Sequence, residues 1–517
     1  MATRLANSQK IDLGAPAAER DITRGLEHYF VESGVFRRVL SGETTVILGN
    51  RGAGKSAIFQ MLARRSRAAG HKVIELSPDD YSYEMLGEAM HSEKAGSWAK
   101  HGAYAAAWKY MLYVQVMKEI CTKQVRSKNA SEAAIRKYIR DNHHHPGMGK
   151  LWALISYLKR LEGIKIGNVE GSIKMRELEK LYKVDELRPL LPHLRNALTE
   201  QRVIVIIDEL DKGWDASEDA RAFISGLFQA CITLNQLSPN LRTYVSLRQE
   251  LYENTPALYE DAQKYRDLVE TVSWNEQGLQ SLIARRIRHS LPRLATASDQ
   301  ECWNVLFDEN LHYRRGNSFG YMVSRTLHRP REMILFCAQA LQTAEETSAA
   351  LPLNYRTIAA AESDYSHGRT HDVAAEQRFQ YRDILSVFEA FRGRTTSFDR
   401  EALEWLMLEI ISGEVSVRPA ARAWLSGYDE NSLIEVLWRV GFLQAQMVGG
   451  IRAGRRSGSS YVAFHESPAL DLRNVRRFQV HPMFRAYLGM KEGRGRSRGQ
   501  DPQTDTDVEP EAVGAAE

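Results

Sequence analysis

Residues 49–56 read Gly-Asn-Arg-Gly-Ala-Gly-Lys-Ser and match the spacing G-x-x-x-x-G-K-[ST], which constrains the fold more than any other segment. A short apolar stretch at 44–48 precedes this run and predicts a β-strand. Apolar residues then return at helical spacing at Ile58, Met61 and Leu62. A strand that turns through glycines directly into a helix is typical of a phosphate-binding loop in a layered α/β fold.

Each residue type of this loop has a separate role in binding a triphosphate. Glycines let successive backbone N–H groups converge on phosphate oxygens, and the following helix adds the positive end of its dipole. We expect Lys55 to reach the β- and γ-phosphates and the Ser56 hydroxyl to bind Mg²⁺. The predicted nucleotide-binding residues are Gly49, Asn50, Arg51, Gly52, Ala53, Gly54, Lys55, Ser56 and Ile58.

A second segment, 203–207, supplies two acidic residues where its predicted strand ends. It is apolar at every position, as expected of a central parallel strand covered on both faces, and Asp208 and Glu209 follow it directly. Beside a phosphate loop, Asp208 is expected to hold Mg²⁺ together with Ser56. Glu209 is placed to polarise the attacking water as a general base. The pair therefore predicts hydrolysis in addition to binding.

The base of the nucleotide is identified by elimination. The chain contains no N-K-x-D or T-K-x-D motif of the kind that recognises guanine in GTPases. It also contains no run similar to L-S-G-G-Q, which disfavours an ABC-type ATPase. ATP with Mg²⁺ is therefore the expected pair of ligands.

Four further phrases carry a family resemblance. They are I-D-E-L-D-K-G-W at 207–214, T-Y-V-S-L-R at 243–248, E-T-V-S-W at 270–274 and H-R-P-R-E-M-I-L at 328–335. In this order the motifs resemble the AAA+-related ORC/STAND branch of P-loop ATPases, and most of all its bacterial members. The resemblance covers residues 20–345, although the long stretch before residue 203 is unlike a minimal core.

The resemblance implies that Arg248 and Arg331 contact the γ-phosphate and act in catalysis with Lys55 and Glu209. Arginine forks suit this role because they stay charged and bind phosphate through two N–H groups. Surface salt bridges are the alternative for both residues. Arg285 and Arg286 are candidates, by position, for an arginine finger that acts on a neighbouring subunit, and the alternative is a solvated helix face.

The chain divides into five parts by pattern. We expect a flexible N-terminus at 1–20, a P-loop ATPase core at 21–275 and a helical lid at 276–350. Within the core, we expect one helix at 22–40 and a large helical insertion at 80–200. A polar connector at 361–374 leads to a winged-helix-like domain at 375–490 and a disordered tail at 491–517. The predicted fold class is α/β, with a parallel sheet in the core.

The C-terminal domain carries three arginines in a glycine-rich loop between two predicted strands. The candidate DNA contacts are Arg452, Arg455 and Arg456. The loop between the strands of a winged-helix domain, its wing, can bind DNA phosphates independently of base sequence. The alternative is a solvated hairpin tip on a domain that serves protein contacts. Nucleic acid binding through this domain therefore stays open.

Composition excludes several other classes of protein. The 69 Lys and Arg residues against 65 Asp and Glu leave a net charge of +4, so any basic surface is local. The longest apolar run, 203–207, is far too short to cross a membrane, and the first residues lack a secretory signal. The four cysteines form no C-x-x-C pair, which favours free thiols in a cytoplasmic protein.

The function predicted from these features is an Mg²⁺-dependent, ATP-hydrolysing molecular switch. The resemblance implies a homo-oligomer, an effector protein encoded nearby, and a role in bacterial conflict or antiphage defence. Two alternatives stay open: an ORC-like ATPase that binds DNA through its winged helix, and a nucleotide-locked scaffold with negligible turnover.

Overall fold

The structure is a computed structural model of the chain. It describes residues 11–76, 97–122, 129–142, 184–210, 214, 217–253, 255, 266–311, 316–447, 451–452, 455–456 and 460–491.

Five parallel strands form the central sheet of the core, in the spatial order β2–β3–β4–β1–β5. The strands are β1 (Val46–Leu48), β2 (Lys72–Leu76), β3 (Val203–Ile207), β4 (Leu241–Leu247) and β5 (Val269–Thr271). The strand β4 lies between β1 and β3, so the carboxyl ends of these three strands lie side by side. The phosphate loop follows β1 and the two acidic residues follow β3, which brings both predicted motifs to one edge of the sheet.

Helices cover both faces of this sheet. They are α1 (Ala18–Asp21), α2 (Leu26–Tyr29), α3 (Gly34–Ser41), α4 (Lys55–Ala68), α5 (Ser97–Ile120), α6 (Ala130–Asn142), α7 (Val184–Leu187), α8 (Leu191–Glu200), α9 (Glu218–Asn235) and α10 (Gln249–Glu253). Side chains of β3 alternate between two apolar clusters, one with α5, α8 and α9 and one with α3 and α4. The predicted α/β class with a parallel sheet is therefore confirmed.

The helical character predicted for 80–200 is confirmed in α5, α6, α7 and α8, and residues 77–96, 123–128 and 143–183 lie outside the described part. The helix α5 packs along α9 and joins the same apolar cluster as the sheet. Trp108 of α5 is fully buried and donates from Nε1 to the carbonyl of Phe223, at 3.2 Å. A Cβ on Gly226 would lie 2.6 Å from the Ala105 nitrogen, so glycine permits this close helix contact.

The N-terminal region departs from the sequence prediction in two ways. The single helix expected at 22–40 is broken, because Gly25 adopts a φ of 95° and Ser33 caps a new helix by accepting from the Phe36 N–H. The flexibility expected for 1–20 is wrong for residues 11–20, where Leu13 and Ala15 are buried. Residues 1–10 lie outside the described part.

The lid consists of five helices, α11 (Glu276–Ser290), α12 (Asp299–Leu306), α13 (Ser318–Val323), α14 (Pro330–Thr347) and α15 (Tyr355–Glu376). The polar connector expected at 361–374 is wrong, since these residues belong to α15, which packs along α14. Two of its charged side chains are buried and paired: Glu362 with Arg325 at 2.7 Å, and Arg369 with Glu332 at 3.0 Å. A helix that buries ion pairs has no simple apolar stripe, so its sequence is similar to that of a linker.

The C-terminal domain combines helices α16 (Ile384–Glu389), α17 (Arg400–Ser412), α18 (Pro419–Leu425), α19 (Glu430–Arg439) and α20 (Pro482–Arg485) with strands β6 (Ser397–Asp399), β7 (Leu443–Met447), β8 (Ile451–Arg452), β9 (Arg455–Arg456), β10 (Ser460–Val462) and β11 (Arg477–Val480). Four strands form an antiparallel sheet in the order β10–β7–β11–β6, while β8 and β9 pair as a small hairpin. The expected order of helix, strand, basic hairpin and strand is present, and one continuous apolar cluster joins this domain to the lid.

The disordered tail expected at 491–517 lies outside the described residues, except for Lys491. The backbone of Lys491 forms a β-bridge with that of Thr395. None of the described helices combines the length and apolarity that crossing a membrane requires.

Candidate functional site

The phosphate loop joins β1 to α4 through two glycines in the left-handed backbone region. Gly52 has a φ of 81° and Gly54 a φ of 100°, and Gly54 stands directly before the first turn of α4. Side-chain-bearing residues rarely adopt this conformation, and it turns successive N–H groups toward one concave side. The loop therefore has the backbone of an anion-binding nest at a helix N-terminus.

Lys55 folds back over its own loop. Its Nζ donates to the Gly49 carbonyl at 2.6 Å and to the Asn50 carbonyl at 3.2 Å. The ammonium group is thus held at the cavity that the loop borders, where an arriving phosphate can compete for it.

A cavity of about 460 Å³ lies against the loop and brings most of the predicted site residues together. Its wall includes Arg51, Gly52, Ala53, Gly54, Lys55, Ser56, Ile58, Asp208, Glu209, Arg248 and Arg331. Among the predicted loop residues, Gly49 is outside this lining, and Asn50 lines a second cavity.

The two acidic residues are fixed by the end of the neighbouring strand. Asp208 accepts at Oδ1 from the Glu209 N–H, at 2.9 Å, and from the Ser246 hydroxyl. Glu209 has a φ of 59°, which is uncommon for a residue with a side chain and is typical of strained backbone at functional sites. Sequence reasoning missed Ser246, although its place next to the end of β4, two residues before Arg248, could have indicated it.

The two arginines expected to contact the γ-phosphate reach the cavity from different parts of the molecule. Arg248 directly follows β4, and Arg331 lies in the first turn of α14 in the lid. Burial, together with the nearby charge of Arg51, lowers the pKa of Arg331. Two partly desolvated arginines at one wall favour a negatively charged ligand.

The two candidate arginine fingers differ in accessibility, since Arg286 is buried and Arg285 is exposed. Arg286 is 4% exposed and pairs with Asp21 at 2.7 Å, so it is not accessible to a neighbouring subunit. Arg285 donates to the Phe30 carbonyl at 2.9 Å. Both residues tie α11 to the N-terminal region, and the arginine-finger prediction for Arg286 is wrong.

The cavity wall also includes apolar residues, called the apolar rim below, that no sequence motif indicated. The rim residues include Ala15, Leu26, Tyr29 and Phe30 from the N-terminal region and Phe379 from the segment after α15. These residues meet only because the chain folds back on itself, which a linear pattern does not record. The cavity thus offers apolar surface in addition to its phosphate-binding groups.

The hairpin arginines lie in the C-terminal domain. Arg452 is in β8, and Arg455 and Arg456 are in β9, with Arg452 opposite Arg455 in the antiparallel register. The arginines therefore share one short two-stranded ribbon, and DNA contact there stays a prediction.

The parallel sheet, the left-handed glycine turn and the helix that follows it define a P-loop NTPase core. Oxygen ligands suit Mg²⁺, and the Ser56 hydroxyl and the Asp208 carboxylate line the same cavity, so these residues fit that ion. Within the described ranges, no group of three or more His, Cys, Asp or Glu side chains could hold a metal by itself.

Residues 277–374 match the family described as the FunZ-associated C-terminal helical domain. This match spans α11 to α15, the helices of the lid. The chain is also 23% identical over 500 residues to the putative transposon gamma-delta 80.3 kDa protein of Escherichia coli strain K12, covering 94% of this chain and 68% of that protein.

Two solved structures are distantly similar. The Aeropyrum pernix ORC2 protein, in ADPNP and ADP complexes, is 10% identical with a TM-score of 0.35, over 93% of this chain and 94% of that one. The bacterial conjugative coupling protein TrwB, in complex with sulphate, is 12% identical with a TM-score of 0.19, over 54% of this chain and 80% of that one. At these TM-scores the two likenesses carry no conclusion about function.

Proposed function

We propose that this protein is an ATP-hydrolysing molecular switch of the ORC/STAND type, which binds ATP with Mg²⁺ between its core and its lid. The observation that carries the proposal is the single cavity whose wall combines the phosphate loop, two carboxylates at the end of β3 and Arg331 of the lid. The positive groups of this cavity suit the phosphates of a nucleoside triphosphate, its carboxylates suit the accompanying Mg²⁺, and its apolar rim suits the base.

Different groups of the protein bind the phosphates and the metal ion. The loop amides and the Lys55 ammonium hold the β- and γ-phosphates, and Arg248 and Arg331 neutralise charge on the γ-phosphate. The Ser56 hydroxyl and Asp208 would hold Mg²⁺, which shields the negative charge of the phosphates when bound. The hydrogen bonds from Ser246 and the Glu209 N–H orient the Asp208 carboxylate for this task.

The position of Glu209 in the cavity wall supports hydrolysis. Its carboxylate accepts a proton from water while the water oxygen forms a bond to the γ-phosphorus. The bond from that phosphorus to the β–γ bridging oxygen breaks, so ADP and inorganic phosphate are released. Arg331 belongs to the lid, so the lid would respond to the loss of the γ-phosphate.

Phosphate release by the wild type and by Glu209→Gln tests the proposal. Loss of the general base should lower kcat by about 10²- to 10⁴-fold while ATP binding persists. Glu346→Gln, at an exposed lid glutamate that bonds Gln342, is the matched control and should keep the wild-type rate. Equal, near-zero rates of wild type and Glu209→Gln would favour a nucleotide-locked scaffold instead.

The proposal extends to assembly and biological role. The resemblance implies a homo-oligomer that signals to an effector encoded nearby, in bacterial conflict or antiphage defence. Light scattering on the wild type and on Glu209→Gln, each with ATP and Mg²⁺, tests assembly. A larger particle in the ATP-locked variant supports it, and a monomer under every condition contradicts it.

A second candidate function is DNA binding through the C-terminal domain. It is supported by the three arginines on the β8–β9 ribbon and by the relative described as a putative transposon protein. An electrophoretic shift that weakens with salt and is lost in Arg455→Ala/Arg456→Ala would favour this function. The matched control replaces Lys137 and Arg140 on α6, which removes the same charge elsewhere. Equal shifts for both variants would argue against it.

A further inference from the structure

Arg329 lies between the phosphate loop and the end of the lid. It directly precedes α14, its side chain is 9% exposed, and its Nη1 donates both to the Arg51 carbonyl, at 3.3 Å, and to Glu376 Oε2, at 2.8 Å. Burial alone lowers its pKa, but the charges of Glu376 and Glu332 outweigh that effect and raise the pKa above the ordinary value for arginine. The guanidinium is therefore charged, and its Nη1 bridges the loop carbonyl and the Glu376 carboxylate.

Three successive carbonyls of the phosphate loop accept hydrogen bonds from outside the loop. The Arg51 carbonyl accepts from Arg329, the Gly52 carbonyl from the Arg331 N–H at 3.4 Å, and the Ala53 carbonyl from Trp274 Nε1 at 2.9 Å. A Cβ built on Gly52 would also lie 3.0 Å from the Arg331 Cβ, so lid and loop are in direct contact there.

These contacts act on the side of the loop that faces away from a ligand. In such a nest the N–H groups address phosphate, while the carbonyls point outward. Donors that fix the carbonyls restrict the peptide planes and so preorganise the N–H groups. Of the three donors, Arg329 is the one that also holds the distal end of the lid.

Glu376, at the other end of this link, is the last residue of α15, and its side chain is 2% exposed. The chain then enters residues 377–381, which lie between two cavities. Arg378 and Phe379 line the nucleotide cavity. Gln377, Gln380 and Tyr381 line the second cavity, of about 350 Å³, together with Asn50 of the loop and Arg329 itself. This segment is also the covalent path from the lid to the C-terminal domain.

We infer that Arg329 is a positioning residue that couples the conformation of the phosphate loop to segment 377–381, and through it to the C-terminal domain. The inference rests on the proposed function, because it needs ATP to bind at the loop. When phosphate orders the loop, the Arg51 carbonyl is fixed and the bond from Arg329 strengthens. Arg329 then holds Glu376 and the start of segment 377–381 more firmly.

Replacing Arg329 with lysine distinguishes the effect of its charge from the effect of its hydrogen-bond geometry. The lysine ammonium is a point charge on a flexible stem, whereas the N–H groups of Nη1 lie in the guanidinium plane and address the two acceptors in fixed directions. Arg329→Lys therefore keeps the charge that Glu376 and Glu332 need but loses the bridge between Arg51 and Glu376.

The test is hydrogen exchange of the full chain, with and without ATP and Mg²⁺, read at the amides of residues 377–381, together with calorimetric titration of ATP. In the wild type, ATP should slow exchange in this segment. Arg329→Lys should abolish that response and weaken ATP binding by about tenfold, which corresponds to one charge-assisted hydrogen bond.

Arg325→Lys is the matched control. Arg325 is a buried lid arginine that pairs with Glu362 at 2.7 Å, and its described bonds involve lid groups alone. This variant should lose comparable thermal stability yet keep the response to ATP. Glu376→Gln provides a second, nearly isosteric variant if Arg329→Lys unfolds, and it should also lose the response at 377–381.

The outcomes separate the two proposals. If the wild type binds no ATP, the proposed function fails and the coupling fails with it. If the wild type binds ATP but Arg329→Lys and Glu376→Gln retain affinity and response, or Arg325→Lys loses them equally, only the coupling is overturned.

Discussion

The α/β core and residues 325–376 of the lid, whose helix α15 packs against α20 of the C-terminal domain and which are called the junction below, are stabilised by different means. The core packs apolar side chains on both faces of β3, where all five residues are buried. The junction buries charged residues instead: Glu332 is fully buried among Arg329 and Arg369, and Glu362 pairs with Arg325. An apolar core tolerates small changes of volume, whereas a buried ion network depends on every partner. The region that would transmit nucleotide state is thus the one most sensitive to the loss of a single group.

The largest predicted effect on stability comes from removing an acid of the junction. Glu332→Ala removes the buried carboxylate that pairs with Arg369 at 3.0 Å and lies 3.7 Å from Arg329, and it removes the acceptor of the Leu327 N–H. Unfolding in denaturant should show a loss of about 3–5 kcal/mol. Glu435→Ala, which breaks an exposed pair with Arg439 on α19, is the matched control and should cost less than about 1 kcal/mol. Equal costs for the two variants would contradict a special role for the buried network.

Acid should weaken the junction through His465, a partly buried histidine whose ring contacts that of His328. Burial, with the charges of His328 and Arg329 nearby, lowers the pKa of His465 from 6.5 to about 3. Because the unfolded chain takes up this proton below about pH 6.5 and the folded chain does not, this contribution to stability is complete above that pH and is lost between about pH 6.5 and 3. Lowering the pH from about 7 to about 5 should cost about 2 kcal/mol at this residue.

Unfolding free energies measured across this pH range check the sign. His465→Phe should flatten the acid limb of the profile, while His371→Phe, at an exposed histidine, should keep the wild-type slope. A His465→Phe profile parallel to that of the wild type would show that this histidine does not set the acid sensitivity.

The smallest effect is expected in the core. Ile206→Val removes one methylene from a buried position of β3 and should cost about 0.5–1.5 kcal/mol in the same denaturation assay. The comparison between the regions requires that this cost be clearly smaller than that of Glu332→Ala. The reverse order would mean that the core, and not the junction, is the sensitive region.

The same contrast explains what the sequence could predict. The strand β3 was predicted with its observed bounds, because a parallel strand covered on both faces leaves a continuous apolar run. The phosphate loop and the acids after β3 were found because their chemistry requires fixed residue types at fixed spacing. Most of these residues meet at one cavity.

The rest of the site depends on tertiary contacts that no local pattern records. The helix α15 was taken for a polar connector because its glutamates and arginine pair with residues far away in sequence. The N-terminal rim and Ser246 gain their places only when the sheet and lid assemble. Arg329 reads as one more polar residue until its bonds to Arg51 and Glu376 are seen.

Calorimetric titration of the purified full chain with ATP and Mg²⁺, beside the Lys55→Ala variant, tests the central claim most directly. The account predicts saturable binding to the wild type and binding about a hundredfold weaker in the variant, because a charge-assisted contact to phosphate is lost. Absence of binding to the wild type, or equal affinity in the two proteins, would contradict the assignment of this loop as the nucleotide site.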